Sequence, residues 1–285
     1  MNLNSKLRNL FKLNRWSNRK IILSLSLLLV VFFLPSCESF PVFNDTLLRQ
    51  AGKGSKSVTS RDSVFDLLEK KWISSTYFDQ GLKYESSRMK VVSLSELLKV
   101  YSPDENVDAI LLNCADGYQG IISINDVKNY DLQLALIIEL PQGTARPYWL
   151  QPLLIVVPNH AKPPLSERFF TANITELRFV RLVDYYSSLY SLDLRNAYAQ
   201  FGLELFKDNC LFCHSINKVG GNKGTSLLST FDLISDEGIN NFKEKFFKMH
   251  GRDNNTTQNT GLFLTNDQFD ALLEFLYEIS ANHSN

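Results

Sequence analysis

Residues 208–215 read DNCLFCHS, so the five positions Cys210-Leu-Phe-Cys213-His214 hold two of the chain's four cysteines and one of its four histidines. Two thiols and an imidazole at this spacing serve three chemistries: covalent attachment of a haem, half of a zinc site, or a thioredoxin-like redox pair. Each demands something different of the fold around it. The remainder of the chain chooses among them.

A structural zinc site needs four ligands, usually as two pairs. The C-terminal half offers Cys210, Cys213, His214, His250 and His283, with no second cysteine pair. A thioredoxin-like motif opens a helix inside a parallel βαβ unit. Here the motif follows a helical pattern and runs into Gly220-Gly221-Asn222-Lys223-Gly224. Haem attachment needs little beyond the motif: two thiols to add across the vinyl groups and an imidazole for the iron. Covalent haem c is therefore the expected cofactor, with Cys210 and Cys213 as its attachment points and His214 as an axial ligand.

The first 37 residues carry six basic side chains (Lys6, Arg8, Lys12, Arg15, Arg19, Lys20) and no acidic one. Residues 21–34, IILSLSLLLVVFFL, are free of charge and of helix breakers. A helix of that length spans about 21 Å against a hydrocarbon core of about 30 Å, so the segment predicts an export signal over 1–36 rather than a spanning helix. Leu34-Pro35-Ser36-Cys37 resembles the lipobox of bacterial lipoproteins, in which the cysteine is lipidated and becomes the new N-terminus; Pro35 departs from the usual pattern. The resemblance implies a periplasmic protein held to a membrane through Cys37.

Six of the 30 basic residues and none of the 30 acidic ones lie in 1–36, so the mature chain carries a formal net charge of −6. That balance excludes binding of nucleic acid by bulk charge. The exported side of a membrane is also oxidising, where an unpaired C-x-x-C becomes a disulfide.

Residues 37–63 read as a lipid anchor and flexible tether, small and polar from 49 onward. From 64 to 183, compact apolar runs (109–112, 121–124, 132–140, 153–157, 177–183) alternate with turn residues such as Gly117, Gly120, Asn125-Asp126 and Pro158. They predict short strands. Helical spacing there is confined to Val64, Leu67 and Leu68 and to Leu94, Leu97, Leu98 and Tyr101. After a linker at 184–196 the period turns helical: Ala197, Phe201, Leu205 and Phe206; then Ile239, Phe242, Phe246 and Met249; then Phe269, Leu272, Leu273, Leu276 and Ile279. Thr265-Asn-Asp-Gln268 predicts a capping box at the start of the last helix. The expected fold class is multidomain: a β-rich α+β domain over 64–183, then an all-α domain over 197–285.

Residues 197–281 resemble a class I c-type cytochrome domain. Gly202 and Phe206 precede the motif, a glycine-rich loop follows it, and LTNDQFDALLEFLYEI closes the segment. The loop lacks the proline that usually follows its glycine, reading Gly224-Thr225-Ser226-Leu227. The resemblance implies a few helices around one haem, with the first and last crossing. It also implies a methionine as sixth iron ligand, and Met249 is the one methionine in this domain; the adjacent His250 is the alternative. His283 reads as a solvated tail residue, and residues 251–260 as a polar loop beside the sixth ligand.

Leu-Leu-Asn-Cys114-Ala-Asp-Gly-Tyr and residues 152–158 resemble part of the molybdopterin-binding domain of the sulfite-oxidase family, where a cysteine at a strand end ligates molybdenum. The resemblance implies Cys114 as that ligand and a molybdopterin cofactor. Leu154 stands where the family has arginine, no G-x-P precedes it, and Arg19-Lys20 is not a twin arginine. From the residues alone, Cys114 is a small apolar core residue. Asp116, Tyr118, His160 and Arg168 are the polar residues able to line a cleft there. The expectation is a membrane-anchored monohaem cytochrome c, an electron carrier rather than a catalyst, passing single electrons between periplasmic redox proteins. The alternative is a molybdenum oxidoreductase with the haem as internal acceptor.

Overall fold

Serine side chains open three of the short helices. Ser75 accepts from the Phe78 amide to start α1 (Thr76–Leu82), and Ser93 caps α2 (Leu94–Tyr101). Ser123 caps α3 (Ile124–Asn129) in the same way. Each hydroxyl satisfies an amide with no partner inside the helix, so the chain turns from strand into helix without a glycine. These are features of a computed structural model, which describes residues 46–50, 57–59, 64–250 and 264–283.

The strands are β1 (Thr46–Gln50), β2 (Ser57–Thr59), β3 (Lys71–Ile73), β4 (Arg88–Ser93), β5 (Ala109–Cys114), β6 (Gln119–Ser123), β7 (Gln133–Glu139), β8 (Leu154–Val156) and β9 (Ile174–Val180). They form one sheet in the order β2-β1-β9-β5-β6 and another in the order β3-β4-β7-β8. Pairing is antiparallel except between β1 and β9. All five predicted runs overlap strands (β5 to β9), with Ile124 already in α3 and Leu182 and Val183 in the helix that follows β9. The segment 37–63 contributes β1 and β2, where the sequence predicts tether.

The period-2 alternation of β5 assigns its two faces. Ile110 and Leu112 join Val92, Leu134, Ile155 and Phe179 in a core shared by both sheets. Ala109 and Leu111 point the other way, with Val180, against Ile121, Leu182 and Tyr185. Those last three also pack against the core of the helical region. Its elements are α4 (Leu182–Tyr185), α5 (Ser187–Tyr190), α6 (Ala197–Asn209), α7 (Leu227–Thr230), α8 (Asp236–His250) and α9 (Asn266–His283). A sheet-rich α+β region is thus followed by helices laid on the outer face of its first sheet. The segment 184–196 is packed as well: Tyr186 and Leu189 are buried in the helical core.

The Thr265 capping box is present. The Thr265 amide donates to Gln268 Oε1 at 2.8 Å and the Gln268 amide to Thr265 Oγ1 at 3.3 Å. Helices α6 and α9 cross in close contact at Gly202, with Phe206 and Phe275 rings 5.6 Å apart alongside. Among the described residues no helix is long and apolar enough to cross a membrane. The expected signal at 1–36 and the lipidation site Cys37 lie outside the described residues.

Candidate functional site

The C-x-x-C-H segment begins where α6 ends. Cys210 is the helix C-cap, its amide donating to the Phe206 carbonyl at 2.8 Å. The Cys210 carbonyl then accepts from the amides of Cys213 (3.1 Å) and His214 (2.9 Å), curling the motif into one tight turn. The glycine-rich loop binds it from one side, Gly221 donating to the Leu211 carbonyl at 2.8 Å and Gly224 to that of Cys213 at 2.7 Å. From the other side β6 reaches in, the Gln119 amide donating to the Phe212 carbonyl at 2.8 Å.

His214 is oriented through its ring nitrogen. Nδ1 lies 2.7 Å from the Thr225 carbonyl oxygen. A carbonyl only accepts, so Nδ1 carries the hydrogen and Nε2 keeps its lone pair. Gly224 lies flat against the ring: a Cβ there would come 2.4 Å from His214 Cε1. Burial lowers the His214 pKa, the Thr225 hydrogen bond opposes this, and the nearby His250 adds to the lowering. A neutral imidazole with one free nitrogen, fixed by a hydrogen bond at the other, is what a metal ligand requires.

Beside the motif lies a cavity of about 740 Å3, its open mouth included. Phe206, Phe231, Phe242, Phe246, Leu272 and Leu276 make its lining largely apolar, and Cys210, Cys213 and His214 line it too. Met249 and His250 also line it, bringing the expected ligand set to one place. Among the described residues Met249 is 55% exposed, whereas His250 is partly buried, with its ring centre 6.3 Å from that of His214. The polar loop 251–260 lies outside the described residues, as does the side chain of His283.

Cys210 and Cys213 are free thiols. Burial pushes both up, Cys213 to about 12, with the Glu167 charge adding in each case. The two thiols and the His214 imidazole supply three donors, and no second cysteine pair stands beside them among the described residues to complete a tetrahedral zinc site. An apolar pocket with both thiols on its wall and an oriented imidazole fits a covalently held porphyrin.

Comparison with models of known protein families and with curated proteins returned no match.

Cys114 ends β5, buried, its Sγ 3.6 Å from the Leu112 carbonyl. Burial, and after it the Asp116 charge, pushes this thiol above its ordinary value. It is not among the residues lining the cavity.

Three of the four cleft candidates meet at the junction of sheets and helices. Asp116 pairs with Lys223 Nζ at 2.8 Å, and Tyr118 stacks on Phe212 with ring centres 5.6 Å apart. Arg168 bridges Asp126 (3.8 Å) and Asp208 (3.2 Å). The fourth, His160, pairs with Asp131 at 3.4 Å on an exposed surface. The residue that sequence reasoning missed is Glu167, which lines the cavity from the sheet region. Burial raises its pKa to about 7 against the opposing charge of Lys223. Nothing in Leu165-Ser166-Glu167-Arg168 separates it from a surface glutamate; only the fold delivers it there.

Proposed function

We propose that this chain is an exported, monohaem c-type cytochrome that carries single electrons between redox partner proteins. The observation that carries this is the cavity whose lining brings Cys210, Cys213 and an oriented His214 together with apolar aromatic side chains. A covalently held haem would supply a reversible one-electron couple between Fe(II) and Fe(III), reduced by one partner protein and oxidised by another. The two thiols would hold the porphyrin edge, and the His214 ring would present Nε2 to the iron. The phenylalanine and leucine wall would exclude water, which lowers the reorganisation that accompanies a change of charge. Lipidation at Cys37 and a periplasmic site rest on the sequence of 1–37. The molybdenum alternative gains nothing from the placement of Cys114, a buried thiol that is not among the residues lining the cavity.

The test is the absorbance spectrum of the reduced pyridine complex of the full chain, produced with haem-maturation machinery. Two thioether bonds give the band of a haem with both vinyl groups saturated. A folded, exported protein with no haem would end the proposal and return the motif to a disulfide.

A further inference from the structure

We propose that His250, not Met249, is the sixth ligand, so that the iron sits between two histidines; this rests on the haem assignment above.

The geometry of α8 points the same way from two directions. Phe242, Phe246 and His250 recur every four residues and so share one helix face. Phe242 and Phe246 are 4% and 8% exposed, and that face is turned into the cavity. Met249 falls on the flank, 55% exposed. Phe246 fixes the direction of His250, its ring 5.4 Å from the imidazole and 4.6 Å from Phe269 on α9. Helix packing therefore aims the histidine inward from the aromatic face and leaves the methionine at the cavity's exposed rim.

The second direction is the spacing of the two imidazoles. Their ring centres are 6.3 Å apart with planes at 81°. Two metal–nitrogen bonds of about 2.0–2.1 Å, plus about 1.1 Å from each nitrogen to its ring centre, predict about 6.2–6.4 Å across one metal ion. The observed spacing is wider than the neighbouring Phe246–His250 contact. His214 already has Nδ1 engaged by Thr225, which leaves Nε2 for that ion. Two imidazoles place the couple below that of a histidine–methionine pair, since a thioether raises the potential.

The experiment compares the wild-type holoprotein with Met249→Ala, His250→Ala and His250→Met. Attached haem is first confirmed in each by the pyridine complex, so a failure of haem attachment is told apart from a failure of ligand assignment. The expected wild type is low-spin in both oxidation states, lacks the weak far-red band of a methionine–iron(III) bond, and resists carbon monoxide when reduced. Met249→Ala keeps all three properties. His250→Ala loses the low-spin spectrum, binds carbon monoxide, and is restored by added imidazole. His250→Met gains the far-red band and a higher potential, a result that a misfolded variant would not give. A far-red band in the wild type that vanishes in Met249→Ala overturns the assignment in favour of methionine. A wild type that takes up carbon monoxide rapidly, with His250→Ala unchanged, overturns it in favour of an open sixth position.

Discussion

Gly202 on α6 sits directly on the Ala271 carbonyl of α9: a Cβ at position 202 would lie 2.0 Å from that oxygen and 2.7 Å from the Phe275 Cβ. Both obstacles are backbone or backbone-adjacent, so neither can swing away. Gly202→Ala must push the two helices apart. Overpacking typically costs about 1–3 kcal/mol, and a clash with main chain belongs at the top of that range. Since whole domains are stable by about 5–15 kcal/mol, urea denaturation should show a clear drop in midpoint. An unchanged midpoint would mean that α6 and α9 do not approach this closely.

The motif loop is held from the sheet side by Asp116, whose carboxylate meets Lys223 Nζ at 2.8 Å with both side chains less than a fifth exposed. Removing one partner strands the other charge in a poorly solvated place. Asp116→Ala and Lys223→Ala should each destabilise by about 1–3 kcal/mol, and the double variant by less than the sum. A double-mutant cycle in urea measures the coupling. Strict additivity would show that the pair contributes nothing to the junction.

Tyr118 stacks on Phe212 inside the motif, and its buried hydroxyl interacts with Thr171 and Glu167 without reaching either in good hydrogen-bond geometry. Tyr118→Phe keeps the stack and removes a poorly satisfied polar atom, whose burial costs up to about 1–3 kcal/mol. Thermal unfolding should therefore show equal or greater stability. A loss beyond about 1 kcal/mol would show that the hydroxyl bonds well to Thr171 or Glu167.

The chemistry-bearing residues were legible because their signals are local. Cys210, Cys213 and His214 declare themselves by spacing, and Thr265-x-x-Gln268 by its capping pattern. The strands β5 to β9 are long apolar runs that no other element explains well. What escaped the sequence depends on contact or on a single hydroxyl. Asn125 and Asp126 look like turn residues but form the first turn of α3, because Ser123 caps it. The stripe Ile239, Phe242, Phe246 and Met249 fits helical spacing, yet packing selects the 242, 246 and 250 face. Glu167 and the Thr225 carbonyl reach the site only through tertiary structure. The segment 184–196 looks like a linker until Tyr186 and Leu189 are seen buried against α6.

Glu167 makes stability depend on pH in a definite sense. Burial disfavours its carboxylate and raises its pKa from 4.5 to about 7, so between those values the folded chain holds a proton that the unfolded chain has released. Stability then falls as pH climbs through that window and levels off above it, by at most about 3 kcal/mol. Glu167→Gln has no such proton to lose. Subtracting its unfolding free energies from those of the wild type, measured in the haem-loaded protein from pH 4 to 8, isolates this one group from His214 and the other titrating side chains. The difference should favour the wild type at the acid end and decline toward pH 7. A flat difference would place Glu167 in contact with water rather than in the cavity wall. A rising one would mean that the carboxylate is the form the fold prefers, held by Lys223 more strongly than burial opposes it.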